Sequence, residues 1–263
     1  MTIENLAQGS DGLLEMQAAL DPVVFANTLG LEPDPWQKDL LRSTSDRALL
    51  NCSRQSGKST MAAALALHHA LYTPGSLTLL VAPALRQSTE LFSKLFEFYN
   101  ILGEPLKRYG ERRLSLDLTN ESRIVAVPGS ERTVRGFSKV SLLIMDEASR
   151  IDDALYYSTR PMLSVSGGRL LMLSTPYGRR GVFFEAFEEG GSEWERFRVT
   201  AEECPRISEE FLAEEKRSMP EFWYLQEYFT QFLETEDQIF SYDLVMNAID
   251  DEVKPLQFET EGW

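Results

Sequence analysis

At 263 residues, 43% of them hydrophobic, the chain can bury one large core, or one core with a small satellite. No run approaches the ~18 apolar residues a membrane span needs, the start Met1-Thr2-Ile3-Glu4-Asn5 lacks a secretory pattern, and two cysteines, Cys52 and Cys204, are too few for a disulfide framework. The expectation is a cytosolic protein without a membrane partner, whose net charge of −15 excludes attraction of nucleic acid by global charge.

That charge is uneven. Residues 1–184 hold 20 Lys/Arg against 19 Asp/Glu, a balance of +1, whereas residues 185–263 hold 6 against 22, a balance of −16. An acidic C-terminal segment reads either as a solvated face or as a surface for a basic partner or neighbouring subunit.

In chain order, residues 1–20 predict a flexible lead or a loosely docked helix. Asp21-Pro22 opens a helix with Val23, Val24, Phe25 and Leu29, stopped by Gly30. Ala48-Leu49-Leu50-Asn51 reads as a strand and Thr60-Met61-Ala62-Ala63-Ala64-Leu65-Ala66-Leu67 as a small-residue helix. Leu77 to Ala82 is a buried strand stopped by Pro83, and a helix follows from Ala84 to Tyr99 with Leu91, Leu95 and Phe98 on one face. Arg113–Leu118 and Arg123–Val127 form a hairpin or edge insertion. Ser141–Met145 and Arg169–Leu173 are near-continuous apolar runs, as expected of central parallel strands covered on both faces. Strands alternating with helices imply a doubly wound α/β sheet. Beyond Gly190-Gly191, a strand from Trp194 to Val199 precedes helices at Ser208–Met219 and Glu221–Phe232, an acidic stretch read as lid or linker. The expected division is thus a lead at 1–20, a core at 21–190 and a lid or linker at 191–263.

The most informative segment is Cys52-Ser53-Arg54-Gln55-Ser56-Gly57-Lys58-Ser59-Thr60, between that first strand and its helix. A tight loop feeding a helix N-terminus is the context of a phosphate-binding loop. Backbone N–H groups around Gly57 wrap the β-phosphate, Lys58 reaches the β- and γ-phosphates, and the Ser59 hydroxyl ligates Mg²⁺. Cys52 stands where this pattern has its first glycine. Asp146-Glu147 closes the apolar strand 142–145, 88 residues after Lys58. One carboxylate, Asp146, suits the Mg²⁺ shell; the second, Glu147, can orient and polarise an attacking water, which favours ATP hydrolysis.

Ser174-Thr175 at the end of the next strand is either a bridge between Asp146 and the γ-phosphate or a simple polar turn. Gln37 is either an adenine contact or a surface residue of its helix. Arg135, in a Gly/Ser-rich loop, is a candidate for stabilising charge on the γ-phosphate from a neighbouring subunit, and Arg54 is a second candidate acting in cis. Lys107-Arg108, Arg112-Arg113 and Arg179-Arg180 are candidate DNA-backbone contacts.

Arg54-Gln55-Ser56-Gly57-Lys58-Ser59, Val81-Ala82-Pro83, Val134-Arg135-Gly136, Ile144-Met145-Asp146-Glu147-Ala148 and Leu173-Ser174-Thr175-Pro176 occur in this order, followed by Gln226-Glu227-Tyr228. The set resembles the ATPase part of a large terminase subunit, the motor that packages DNA into tailed-phage capsids. The resemblance covers residues 30–240 or so. It implies a RecA-like ASCE P-loop NTPase with a small lid, active as a ring (commonly a pentamer), in the host cytoplasm on double-stranded DNA, portal protein and small terminase subunit. Carried over by position, Lys58 and Ser59 bind Mg-ATP, Asp146 holds Mg²⁺ and Glu147 is the catalytic acid. Arg135 is the trans finger, Ser174-Thr175 the coupling motif and Gln37 the adenine contact. Such terminases also carry a nuclease domain. Asp243, Asp250, Asp251 and Glu252 sit in a tail expected to be helical or irregular, so no DNA cleavage is expected here. The rival expectations are a helicase-like translocating ATPase and a non-catalytic nucleotide-dependent scaffold.

Overall fold

A computed structural model describes residues 10–109, 113–129 and 136–234, with the single positions 134, 244 and 248. The chain runs α1 (Ser10–Leu20), α2 (Pro22–Thr28), α3 (Pro35–Arg42), β1 (Arg47–Cys52), α4 (Lys58–Tyr72), β2 (Leu77–Ala82), α5 (Leu85–Ile101), β3 (Ser115–Asp117), β4 (Arg123–Pro128) and β5 (Leu142–Asp146). It continues through α6 (Asp153–Ser164), β6 (Arg169–Ser174), α7 (Gly181–Glu188), β7 (Glu195–Val199), α8 (Glu209–Ser218) and α9 (Glu221–Phe229). Among the described residues, no helix is long and apolar enough to cross a membrane.

The strands form one seven-stranded sheet in the order β3-β4-β2-β5-β6-β1-β7, every neighbouring pair parallel except β3 with β4. Alternation along each strand divides the core. Leu50, Leu80, Ile144 and Leu171 face α1 to α5, while Leu49, Leu79, Leu143 and Met172 face α6 and α7. All eight are at most 2% exposed. Burial of each such side chain contributes about 1.5–3 kcal/mol, and this two-sided burial explains why the runs read as continuously apolar. In α4 the alanines 62, 63, 64 and 66 are essentially inaccessible, so their small size lets the helix lie close to the sheet. The β3–β4 pair is the predicted hairpin, attached to the main sheet through β4.

Of the two alternatives for the start of the chain, the described residues 10–20 form a helix, α1, anchored through Ala18. One region differs from the sequence expectation. The strand after Gly190-Gly191 joins the main sheet, so the sheet continues past residue 190: β7 pairs in parallel with β1 from Ala48↔Glu195 to Cys52↔Val199. The reversal that brings it back is clamped by Arg196, whose guanidinium donates to the carbonyls of Phe187 (2.8 Å), Ala186 (2.9 Å) and Trp194 (3.0 Å), and to Gly190. Beyond β7, α8 and α9 bury Leu212, Tyr224 and Tyr228 against Ala201 in a small cluster of their own.

Candidate nucleotide-binding site

Strand order decides what meets what. β6 lies between β1, which feeds the phosphate-type loop, and β5, which ends in Asp146. All three are parallel, so their carboxyl ends open on one edge, the usual ligand edge of such a sheet. The loop and the acids converge there. Ser59 Oγ donates to Asp146 Oδ2 at 3.0 Å, and Lys58 Nζ lies 3.6 Å from Glu147 Oε1. Asp146 Oδ1 also accepts from the Glu147 backbone N–H at 3.0 Å. Burial, reinforced by the adjacent Glu147 charge, pushes the Asp146 carboxyl up to about 6, against the pull of Lys58 and its hydrogen bonds. A hydroxyl and a carboxylate side by side form a hard oxygen-donor pair, which suits a divalent cation such as Mg²⁺.

The loop is braced from both ends of the chain. On one side, Gln37 Nε2 donates to the Ser56 carbonyl at 3.0 Å while Gln37 Oε1 accepts from Asp34 N–H at 2.9 Å. Arg206 makes paired bonds to Asp34 (3.0 and 2.7 Å) and another to the Ser56 carbonyl at 3.0 Å. On the other side, Ser53 N–H donates to Val199 O at 2.9 Å and Arg54 N–H to Glu227 O at 3.0 Å. The Arg54 side chain completes that contact with Nε 2.6 Å from Glu227 Oε2. Asn51 Nδ2 reaches the carbonyl of Thr230 at 3.0 Å.

Gly57 carries the conformational demand of the loop. Its φ is +90°, and a Cβ there would lie 2.8 Å from Gln37 Nε2. Cys52 carries none. It is the last residue of β1, fully inaccessible, with its side chain in the core and its thiol pushed up to about 12 by burial. The first-glycine position is therefore a core position, and a small apolar residue fits it.

Ser174 and Thr175 are buried at the end of β6, where Ser174 Oγ lies 2.6 Å from Ser149 Oγ and accepts from Ser149 N–H at 3.2 Å. Ser149 Oγ also donates to the carbonyl of Thr175 at 2.8 Å. The Ser174 and Ser149 hydroxyls and the Thr175 carbonyl thus link the end of β6 to the turn after Glu147. Gln37 is 2% exposed, so it is not a surface residue of α3. Together with Gly30, Asp34, Gly57, Met61 and Arg206 it lines a cleft of about 550 Å³ beside the loop. Thr60, at the same cleft, accepts from Lys94 Nζ at 3.0 Å. Gln55 takes a left-handed φ of 57°. Arg135 and Arg112 lie outside the described residues, as do Asp243, Asp250, Asp251 and Glu252. Sequence reasoning missed Asp34, Arg206 and Ser149, and quoted Glu227 only within a motif; the partners of Asp34 and Glu227 lie 172 and 173 residues away.

A loop-then-helix phosphate cradle, an acid pair on a non-adjacent parallel strand and one strand inserted between them define a RecA-like P-loop NTPase fold of the additional-strand type. The profile of the family "Terminase large subunit, T4likevirus-type, N-terminal" matches residues 49–245, and the chain belongs to that family. It is 27% identical over 252 residues to the large terminase subunit of Thermus phage G20c, covering 82% of this chain and 52% of that protein. The chain thus spans about half the length of the curated relatives it matches. An ATPase-domain structure (a mutant form) of the large terminase of Thermus phage P74-26 superposes with a TM-score of 0.71 at 25% identity, over 80% of this chain and 98% of that one. The HK97 bacteriophage large terminase shares the fold at a TM-score of 0.68 and 17% identity, over 81% of this chain and 55% of that one. So does the large terminase of a thermophilic bacteriophage solved with ADP and with ATP-γ-S, at TM-scores of 0.62 and 0.63, 12% and 13% identity, 76% of this chain in each case and 54% and 53% of those chains.

Proposed function

We propose that this chain is the ATP-hydrolysing motor of a phage large terminase, driving double-stranded viral DNA into a procapsid. The observation that carries the reading is the convergence of Ser59 on Asp146 and of Lys58 on Glu147, at 3.0 and 3.6 Å, across one sheet edge. The family match and the nucleotide complexes of the distant relatives support the same substrate class.

In this reading the loop amides and Lys58 hold the β- and γ-phosphates, and the cleft beside Gly57, with Gln37 at its wall, receives the base. Ser59 and Asp146 would hold Mg²⁺, which when bound would neutralise charge on the phosphate oxygens. Glu147 orients a water and takes its proton as the water oxygen bonds to the γ-phosphorus. The bond to the β–γ bridging oxygen breaks, leaving ADP and inorganic phosphate. Arg135 from a neighbouring subunit offsets the charge on the transferring group, a role worth roughly 10³–10⁵ in rate where it operates. Arg54 would reach the same charge in cis only by leaving Glu227. Portal protein, small terminase subunit and a pentameric ring are the partners the family reading brings.

Steady-state phosphate release tests it. Glu147→Gln and Lys58→Ala should each reduce turnover to a small residual rate, with Glu147→Gln still binding ATP. Turnover at the wild-type rate in Glu147→Gln removes Glu147 from the hydrolytic mechanism, and nucleotide binding without phosphate release in the wild type would leave the nucleotide-dependent scaffold. Mixing Arg135→Ala with Lys58→Ala subunits should restore part of the rate, and no recovery at any ratio rejects action in trans.

A further inference from the structure

The turn after β5 is held at two points by the end of β6. Ser174 fixes Ser149, as described. One residue further, Arg150 turns back toward the acids. Its Nε lies 3.8 Å from Glu147 Oε2, while the other carboxylate oxygen faces Lys58 Nζ at 3.6 Å. On its far side, the Arg150 guanidinium carbon sits 4.3 Å from the centre of the Tyr177 ring, and that of Arg180 lies 5.8 Å from the same ring. Glu147 itself holds a left-handed backbone, φ 52° and ψ 43°, a conformation a non-glycine residue keeps only when its surroundings impose it.

The two cations around Glu147 are not equivalent. A bound triphosphate competes for the Lys58 ammonium, which is the phosphate-facing charge of the loop. Arg150 follows the acids rather than standing in the phosphate loop, and the Tyr177 ring seats it beside the carboxylate. A guanidinium stacked on an aromatic face is both attracted to it and restricted in its rotamers. Its charge is therefore delivered at a fixed place, whereas an unsupported surface arginine moves freely and contributes little.

We propose that Arg150, seated on Tyr177, is a positioning residue for Glu147, holding its carboxylate toward the reacting water once Lys58 is drawn to the phosphates. This rests on the hydrolytic reading above. It also gives the chain leaving β6 a second route into the site, through Tyr177 as well as through Ser174.

The test compares Arg150→Leu, Arg150→Lys, Tyr177→Leu and Tyr177→Phe in the full chain by steady-state ATP hydrolysis, fluorescent-nucleotide binding and thermal melting. Arg150→Leu should lower kcat about 10- to 100-fold, the scale of a misaligned catalytic group, while KM and nucleotide Kd stay within about threefold. Tyr177→Leu should follow in the same direction, and Tyr177→Phe, which keeps a ring face, should recover most of that loss. Arg150→Lys should fall between. Added to Glu147→Gln, Arg150→Leu should cause no further loss, because residues acting as a unit are not additive. An unchanged kcat in Arg150→Leu, an equal loss in binding, or a fully additive double variant overturns the proposal. Should Tyr177→Leu fail to fold, the half-exposed Arg150 variants and Tyr177→Phe decide it alone. If Glu147→Gln itself hydrolyses ATP at the wild-type rate, Glu147 leaves the hydrolytic mechanism first and the positioning role falls with it.

Discussion

Asp146→Asn separates the stability of this site from its chemistry. In the metal-free protein the Asp146 carboxyl sits at about 6 rather than 3.8, because it is buried beside Glu147. The folded state thus binds this proton more tightly than the unfolded chain. The contribution of the group to stability is full below pH 3.8, is lost as pH rises toward 6, and stays lost at neutral pH. A difference of about two pH units corresponds to about 3 kcal/mol as an upper figure. Asparagine removes the charge and can keep both bonds, accepting from Glu147 N–H and facing Ser59 Oγ with its amide. Lys58, however, loses a carboxylate to face, so the expected gain is about 1–3 kcal/mol at pH 7, read by urea unfolding in chelator. At pH 4 the gain should vanish. Adding Mg-ATP should then raise the melting temperature of wild type and not of the variant, and hydrolysis by the variant should collapse. A loss of stability at pH 7, or the same gain at pH 4 and pH 7, would refute the reasoning.

Three further outcomes follow from the bracing of the loop. Gly57→Ala places a Cβ 2.8 Å from Gln37 Nε2 at a φ of +90°. It should cost about 1–3 kcal/mol in urea unfolding and weaken ATP binding by calorimetry. Arg206→Leu leaves the Asp34 carboxylate, 7% exposed, without its partner. A loss of roughly 1–2 kcal/mol is expected, since the arginine is half-exposed, with KM for ATP rising more than kcat falls. Ser174→Ala removes the bridge to Ser149 and should cost about 1–2 kcal/mol, with kcat falling while nucleotide affinity holds, as stopped-flow binding and phosphate release would show together.

The regular elements were legible because local chemistry decides them. Continuous apolar runs such as Leu142–Met145 can only be strands covered on both faces, and Gly57-Lys58-Ser59 between a strand and an alanine-rich helix fixes the loop. The departure at Cys52 was legible as a departure but not as harmless. Its meaning depends on the last β1 side chain pointing into the core, which is a matter of strand phase against a partner. The placement of β7 was hidden for a related reason: periodicity in Glu195–Val199 marks a strand without naming its neighbour. Arg206 left no local signal at all and Glu227 only its place in a motif, since each acts only after the chain beyond residue 195 has folded back over β1.

That return path has a consequence for how the site and the C-terminal helices communicate. Ser53 is tied to β7, Arg54 to Glu227 on α9, and Ser56 to both Gln37 and Arg206. The loop residues are therefore hydrogen-bonded directly to β7, to α9 and to the segment before α8. Glu227 is 8% exposed at its side chain, so Arg54 cannot leave it for a phosphate without uncovering a buried carboxylate, which must find another partner or water. In the proposed reading, a nucleotide that drew Arg54 away from Glu227 would act on α9 through the same contacts that shape the loop.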